Sequence, residues 1–577
     1  MIRLAAVFVV AGLLAAGVLY DRLEDPVTIE AAAAESVIIT PSVSDPSRLD
    51  GAWYCPVGSA SENGFADHEV EIANFSDDSA VANVTIVTGE GKGPTLRVEM
   101  APLSTQSVAL STISQADVAG AVVEIIGGTG AVAHRVVTEQ GVAEGPCSTH
   151  VSSSWFFASG RTTRDSRNYI ALMNPFPEDV IFNVEFYRSA GRPRRPADLQ
   201  GGVVRASSVV LIEVETHIAR EEAVAVSIST VRGRLVAERL QVLDGALGPS
   251  GAALQLGVVA PSESWMLPSG RVHETGDDRV IVFNPSAEET ASVDIELWPV
   301  NPTDRSLYGL GPIPRELLPG RFEVIDLNAE ADRFGIPFPF ELGASVTSTN
   351  GVPVITERWH FAQAIDTNLI GAGGTEVASN PELLIDDDEE TADGETPADG
   401  EAPADGEAPA DGETPADGEE AADGEAPAED ESGVGDGVTA EEAAEGEADV
   451  PGIVGAEALG LSQPTADVGV ATSRGSEVLS DRWLIPWVPT PNGDAATIIV
   501  TSTQGASVEI RALVNGELFG PFVATVGAFG RTVVPLEIAA TGAPVLVTAD
   551  NPISVEAQVV DVGERLLAIP GIPTVDR

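Results

Sequence analysis

The chain repeats itself. WYCPVG at Trp53, WFFASG at Trp155 and WMLPSG at Trp265 share one frame, and WLIPWV at Trp483 keeps the Trp and loses the Gly. Within 18 to 21 residues each copy reaches a second signature: IANF at Asn74, LMNP at Asn174, VFNP at Asn284 and IVTS at Thr501. Near the far end comes a hairpin, VVEIIGGTGAVAHRVV in the first copy and PVLVTADNPISVEAQVV in the fourth. The hairpins align His134-Arg135, Glu238-Arg239, Glu357-Arg358 and Glu556-Ala557 in one column. Their turns (GGTG, RG, NG, DN) all accept positive φ between two strands.

The strands alternate as a half-buried sheet face does: Val224, Val226 and Ile228 are apolar, with Ala225, Ser227 and Ser229 between them. Short pieces such as STISQADVAG and DLNAEADRFG precede the hairpins and have room for one helical turn. Six or seven short strands per copy predict an all-β chain of tandem immunoglobulin-like sandwiches. A β-propeller is the alternative. The expected modules are 51–150, 151–250, 251–370 and 476–577. Trp53, Trp155, Trp265 and Trp483 open a strand at the same place in each copy. That assigns them to the core or a domain junction, with a row of glycan-stacking aromatics as the functional alternative.

Leu4 to Tyr20 is an uncharged apolar run between Arg3 and Asp21. As a helix it spans about 26 Å, the short end of what crosses a bilayer. We read residues 1–3 as a cytoplasmic stub, 4–20 as a transmembrane signal-anchor and 21–50 as a juxtamembrane segment. The expected location is the cell membrane, single-pass, with the bulk extracytoplasmic. The alternative is secretion after signal cleavage, for which the A-x-A site at Ala31–Ala34 stands far from the run. An exported chain makes its two cysteines informative. Cys55 and Cys147 bracket the first copy and are expected to form a disulfide.

The net charge is −58, from 31 basic and 89 acidic residues. Of those acids, 27 lie in 386–449 with no Lys or Arg among them. This balance excludes nucleic acid as a partner, because backbone-neutralising charge is missing. The stretch 371–475 reads as a disordered acidic linker whose centre repeats ADGETP and ADGEAP. It would let the fourth module reach away from the other three. It lacks the ordered ligand spacing of a calcium loop.

Chemistry-bearing motifs are sparse. H-E-x-x-H, G-x-S-x-G, C-x-x-C and Walker A patterns do not occur. GEGKGPT near Lys92 and GGTG near Gly127 read as hairpin turns, since neither opens a helix. The six His are scattered singly and suit no metal. No catalytic residue, metal or cofactor is expected. One departure is basic: Arg161, Arg164 and Arg167, then Arg188, Arg192, Arg194 and Arg195 in YRSAGRPRRPAD. These seven form a candidate dock for a phosphate- or carboxylate-bearing wall polymer, or else they pair with the protein's own acids.

The pattern W-x-x-x-x-G, strand–Asn-Pro, hairpin–Glu-Arg resembles modules of secreted actinobacterial proteins. The whole chain is similar to an actinobacterial family known only as a domain of unknown function, over about 1–370 and 475–577. The resemblance implies export and β-architecture and carries over no functional residue. The expected function is a non-enzymatic envelope protein, an anchored array of β modules engaging a cell-wall polymer or another envelope protein. The alternatives are an accessory subunit of an envelope glycan-assembly or export machine, and a glycan hydrolase or lyase on a β scaffold.

Overall fold

A computed structural model describes residues 50–361 and 470–573, except 62–63, 247–248, 274–276, 301, 474, 478, 489–495, 515, 537–542 and 562–564. The described chain is predominantly β, in antiparallel sheets. No helix among the described residues is long and apolar enough to cross a membrane. The apolar run 4–20 and the acidic tract 386–449 lie outside the described residues.

The first module has eight strands: β1 (Asp50–Cys55), β2 (Asp67–Asn74), β3 (Ala80–Thr88), β4 (Gly91–Met100), β5 (Ser104–Ala109), β6 (Ala119–Ile126), β7 (Gly130–Thr138) and β8 (Gly141–Pro146). They form two sheets, ordered β1-β6-β3-β4 and β5-β2-β7-β8. A propeller blade runs up and down through consecutive strands, and these sheets do not. Lys92 lies in β4 and Gly127 at the β6–β7 turn. That turn takes Gly at positive φ in three copies: Gly127 (88°), Gly233 (85°) and Gly351 (77°). An L side chain rarely adopts that backbone, so the hairpin depends on these residues. The helical pieces expected before the hairpins are Leu110–Thr112, Val214–His217 and Leu327–Arg333.

The second module repeats both sheets and ends on Ser250–Leu256, beyond the boundary expected at 250. The fourth repeats them too, with one long strand, Ala543–Asp561, serving in both sheets as β6 and β7 do. The third is completed differently. Its equivalent of β7, Ile355–Phe361, pairs with Val470–Ser473, Phe361 opposite Val470. The eighth strand therefore comes from the far end of the stretch read as a linker. A bridge confirms the equivalence: Met266 pairs with Ser476 as Tyr54 does with Ser148 and Phe156 with Val258. Residues 362–469 are thus an insertion within a hairpin, whose two ends leave adjacent strands.

The fourth module does not reach away. The four eighth strands contact one another in a closed ring: β8 meets Ser250–Leu256, which meets Val470–Ser473, which meets Arg565–Pro570, which returns to β8. Each module shares its core with a neighbour. Val57, Ala66, Val136 and Ala143 join the second module's core, Ala158 and Tyr187 the third's, and Leu484 and Ile572 of the fourth join the first's. Apolar sheet faces that would be wetted on separate sandwiches are buried between modules, and that burial favours the ring.

Two repeat signatures are structural. Trp53, Trp155, Trp265 and Trp483 are all at most 2% exposed. Three of them donate the indole N–H to a hairpin carbonyl: Trp155 to Leu235 (2.9 Å), Trp265 to Val354 (2.8 Å) and Trp483 to Ile553 (2.9 Å). A buried indole needs such an acceptor, and none of these rings is free to stack on a glycan. Asn74, Asn174 and Asn284 tie two turns together. Each Oδ1 accepts the N–H two residues on, while Nδ2 donates to carbonyls about thirty residues away, such as Ala101 and Leu317. In the fourth copy Ser502, not Thr501, ends the strand, and its Oγ accepts from Gln504 and Gly505.

Candidate functional site

Strand pairing corrects the hairpin column. Ala171 faces Glu238, Ile281 faces Glu357, Ile499 faces Glu556, and the equivalent Glu71 faces Ala133. Ala133-His134, not His134-Arg135, therefore stands in the first module where the second and third carry Glu-Arg and the fourth Glu-Ala. Arg135 imitates the pair one position too late, and it pairs with Glu69 instead.

The column holds the modules together. The glutamates of the second, third and fourth modules reach back to the backbone N–H groups that follow the preceding module's Trp strand. Glu238 accepts from Val57 (3.3 Å), Glu357 from Ala158 (2.8 Å) and Ser159 (3.2 Å), and Glu556 from Ser269 (3.4 Å). The preceding module supplies the side chain that meets it, a histidine at the first joint and an arginine at the second. His134 Nε2 lies 2.8 Å from Glu238, and Arg239 Nη1 lies 3.1 Å from Glu357. At the third joint Arg358 binds Asp278 and acts on Glu556 through charge. Arg531 adds bonds across that joint to Pro268 (2.7 Å) and Glu341 (2.8 Å). Burial pushes the carboxyls of Glu357 and Glu556 up, opposed by the nearby guanidinium and backbone donors.

The lost Gly of the fourth copy now has a cause. A Cβ on Gly58, Gly160 or Gly270 would meet His68 at 2.6 Å, Asn168 at 2.3 Å or Arg358 at 1.8 Å. At the joint from the fourth module back to the first, every polar partner is missing. Ala496 stands for His68, Asn168 and Asp278, Ala557 for the histidine or arginine and Ala133 for the glutamate. Val488 packs into the space with Ala496 and Ala557.

The first joint contains a buried relay. His68 Nδ1 lies 3.0 Å from the Ala119 carbonyl, His68 Nε2 3.0 Å from His134 Nδ1, and His134 Nε2 2.8 Å from Glu238. The carbonyl assigns the first proton to His68 Nδ1, so Nε2 accepts from His134. Burial and the neighbouring His134 hold His68 down at about 3. The three side chains are at most 1% exposed, so substrate and solvent do not reach them, and the relay serves the joint.

The ring-closing joint carries a different feature. Glu71 is 3% exposed, its Oε2 has no hydrogen-bond partner, and burial followed by the charge of Glu69 pushes it up to about 8. A carboxyl raised in the folded chain holds its proton more tightly there. Its contribution is complete below pH 4.5 and is lost as the pH rises through about 8. We expect thermal midpoints of the parent to fall relative to Glu71→Gln between pH 5 and 9. Parallel curves for the two proteins would refute this assignment.

The seven arginines divide. Arg161 meets Asp165 (3.7 Å) and Glu222 (3.4 Å), Arg167 meets Glu215 (3.8 Å), Arg188 meets Glu221 (3.8 Å) and Arg195 meets Glu185 (2.8 Å). Arg161 and Arg188 thus converge on adjacent acids, Glu221 and Glu222. Arg164, Arg192 and Arg194 are exposed, and their side chains pair with no acid among the described residues. Cys55 and Cys147 are joined, tying the end of β1 to the chain just after β8.

Pattern reading missed a cleft of about 400 Å³ between the first two modules. Phe65 and Tyr169 line it with their rings in contact, centroids 5.0 Å apart. Glu139, Gln140, Arg167 and Asp244 complete its wall and rim. Asp165 lies at its floor, 1% exposed, with neither carboxylate oxygen hydrogen-bonded. No motif marks it, because its residues come from separate loops of two modules. Among the described residues no group of three or more His, Cys, Asp or Glu could hold a metal ion.

The signature of one family, described as a family of unknown function (DUF5719), matches residues 129–301. That span runs from the last hairpin of the first module, through the second, into the third. No curated protein matches the chain. Among solved structures, Thermotoga maritima 1070 is 14% identical over 19% of this chain and 95% of that one, with a TM-score of 0.16. A Streptomyces avermitilis alpha-L-rhamnosidase complexed with L-rhamnose is 11% identical over 57% of this chain and 48% of that one, with a TM-score of 0.12. Likeness at these values carries no argument about fold or function.

Proposed function

We propose that the protein is a non-enzymatic scaffold of the cell envelope, whose four-module ring engages wall glycan and presents the acidic insertion from one hairpin. The observation that carries this reading is the pairing of Phe361 with Val470, which holds both ends of the insertion side by side. The described residues on either side of the insertion, Phe361 and Val470, stand opposite each other on adjacent strands of the third module. Arg164, Arg192 and Arg194, the three of the seven with no acidic partner among the described residues, supply charge for an anionic wall polymer that the insertion's own charge would repel.

The test is co-sedimentation of the full-length protein, in detergent, with isolated wall sacculi. The protein is expected to pellet with them. A variant in which residues 366–465 are replaced by a four-residue glycine-rich turn should pellet at least as well at low salt. Failure of the parent to pellet would overturn the glycan reading and turn the search to a protein partner. The same variant tests the topology. It should keep the parent's thermal midpoint, whereas extending the excision through Ser476 removes the third module's eighth strand and should lower it sharply. Equal midpoints for both excisions would contradict the pairing.

A further inference from the structure

We propose that the cleft between the first and second modules binds a neutral saccharide. This goes beyond the envelope reading by naming a site and a ligand class, and rests on that reading only for the saccharide's source. The lining is mixed in the way hydroxyl-rich ligands require. A sugar hydroxyl both donates and accepts, and here the Glu139 and Asp244 carboxylates accept while the Arg167 guanidinium and the Gln140 amide donate. Phe65 and Tyr169 present ring surface to the apolar C–H face that a pyranose offers beside its hydroxyls.

Charge narrows the class. Two exposed carboxylates, Glu139 and Asp244, against the one guanidinium of Arg167 repel an acidic sugar, while the charge of Asp165 beneath is offset by Arg161. Arg167 at the same rim disfavours a simple ammonium ion, which would otherwise suit an aromatic wall with carboxylates. The volume falls in the range of small-molecule sites, and a boundary between packed units is where such sites recur. Ser166 and Val242, both buried, hold the floor on strands of the second module. Little ordering is therefore left to offset when a ligand enters.

Saturation-transfer NMR and titration calorimetry on the full-length protein, with neutral trisaccharides of glucose, galactose and mannose, test the proposal. At least one should bind. Tyr169→Ala, and separately the pair Glu139→Gln with Asp244→Asn, should each weaken it tenfold or more, while Tyr169→Phe keeps it. Glu139 and Asp244 are exposed, so the pair leaves the fold intact and guards against a folding defect in Tyr169→Ala. Three results would each overturn the cleft: no transfer from any trisaccharide, affinity unchanged by both variants, or tighter binding of a uronic-acid trisaccharide or of tetramethylammonium. The two readings fail separately. Oligosaccharide binding without sacculus sedimentation sinks the envelope role and supports the cleft. Sedimentation with no trisaccharide bound sinks the cleft and supports the envelope role.

Discussion

Glu357→Ala should cost the protein about 3–5 kcal/mol, the usual consequence of stranding one half of a buried ion pair. Both partners are sealed from solvent, Glu357 at 0% and Arg239 at 0% exposed. The loss leaves the Arg239 guanidinium without its counter-charge and the Ala158 and Ser159 N–H groups without an acceptor. The remaining contacts of Arg239, to the Ser159 carbonyl, to Gln255 and to the faces of Phe157 and Trp359, do not neutralise it. Guanidinium unfolding followed by tryptophan fluorescence measures the effect. The double variant Arg239→Met with Glu357→Leu should recover most of it, because an apolar pair of similar volume removes the stranded charge. A single-variant loss below about 1 kcal/mol, the value of an exposed pair, would mean that the joint is hydrated.

The second large effect is expected from the disulfide. Cys55 and Cys147 close a loop of 92 positions, and the chain-entropy model assigns such a link about 4–5 kcal/mol. Replacing both with Ala should lower the midpoint of the first module. Because that module closes the ring through Leu484 and Ile572, amide exchange should rise both in β1–β8 and in Ser480–Val488. The third module's strands, held through Glu357 and Glu556, should stay protected. Exchange confined to β1–β8 would mean that the fourth module keeps its place without the first.

The copies were legible because each carries local requirements at short spacing. These are an indole that opens a strand, an Asn that closes a turn two residues on, and a hairpin turn that takes positive φ. Burial of the four tryptophans followed from their repeated place. The candidate site was far less legible. Arg161 and Arg167 were singled out for their charge, yet the cleft beside them also needs Phe65, Glu139 and Asp244, which no spacing relates. In the hairpin column of the first module Arg135 supplies a false match one position late, and only the pairing of Glu71 with Ala133 sets the alignment.

By itself, then, the amino-acid sequence determined the module: its β character, its buried Trp positions, its recurring Asn and its acidic interruption. Tertiary structure alone decided that the modules close on one another, and that the interruption falls inside a hairpin rather than between domains. It alone decided that the recurring glutamate belongs to the preceding module's backbone. The physical reason is range. Alternation and turn chemistry act within a few residues and leave a periodic trace. The glutamate bonds span 181, 198 and 287 positions and are selected by burial and charge after the sheets have formed.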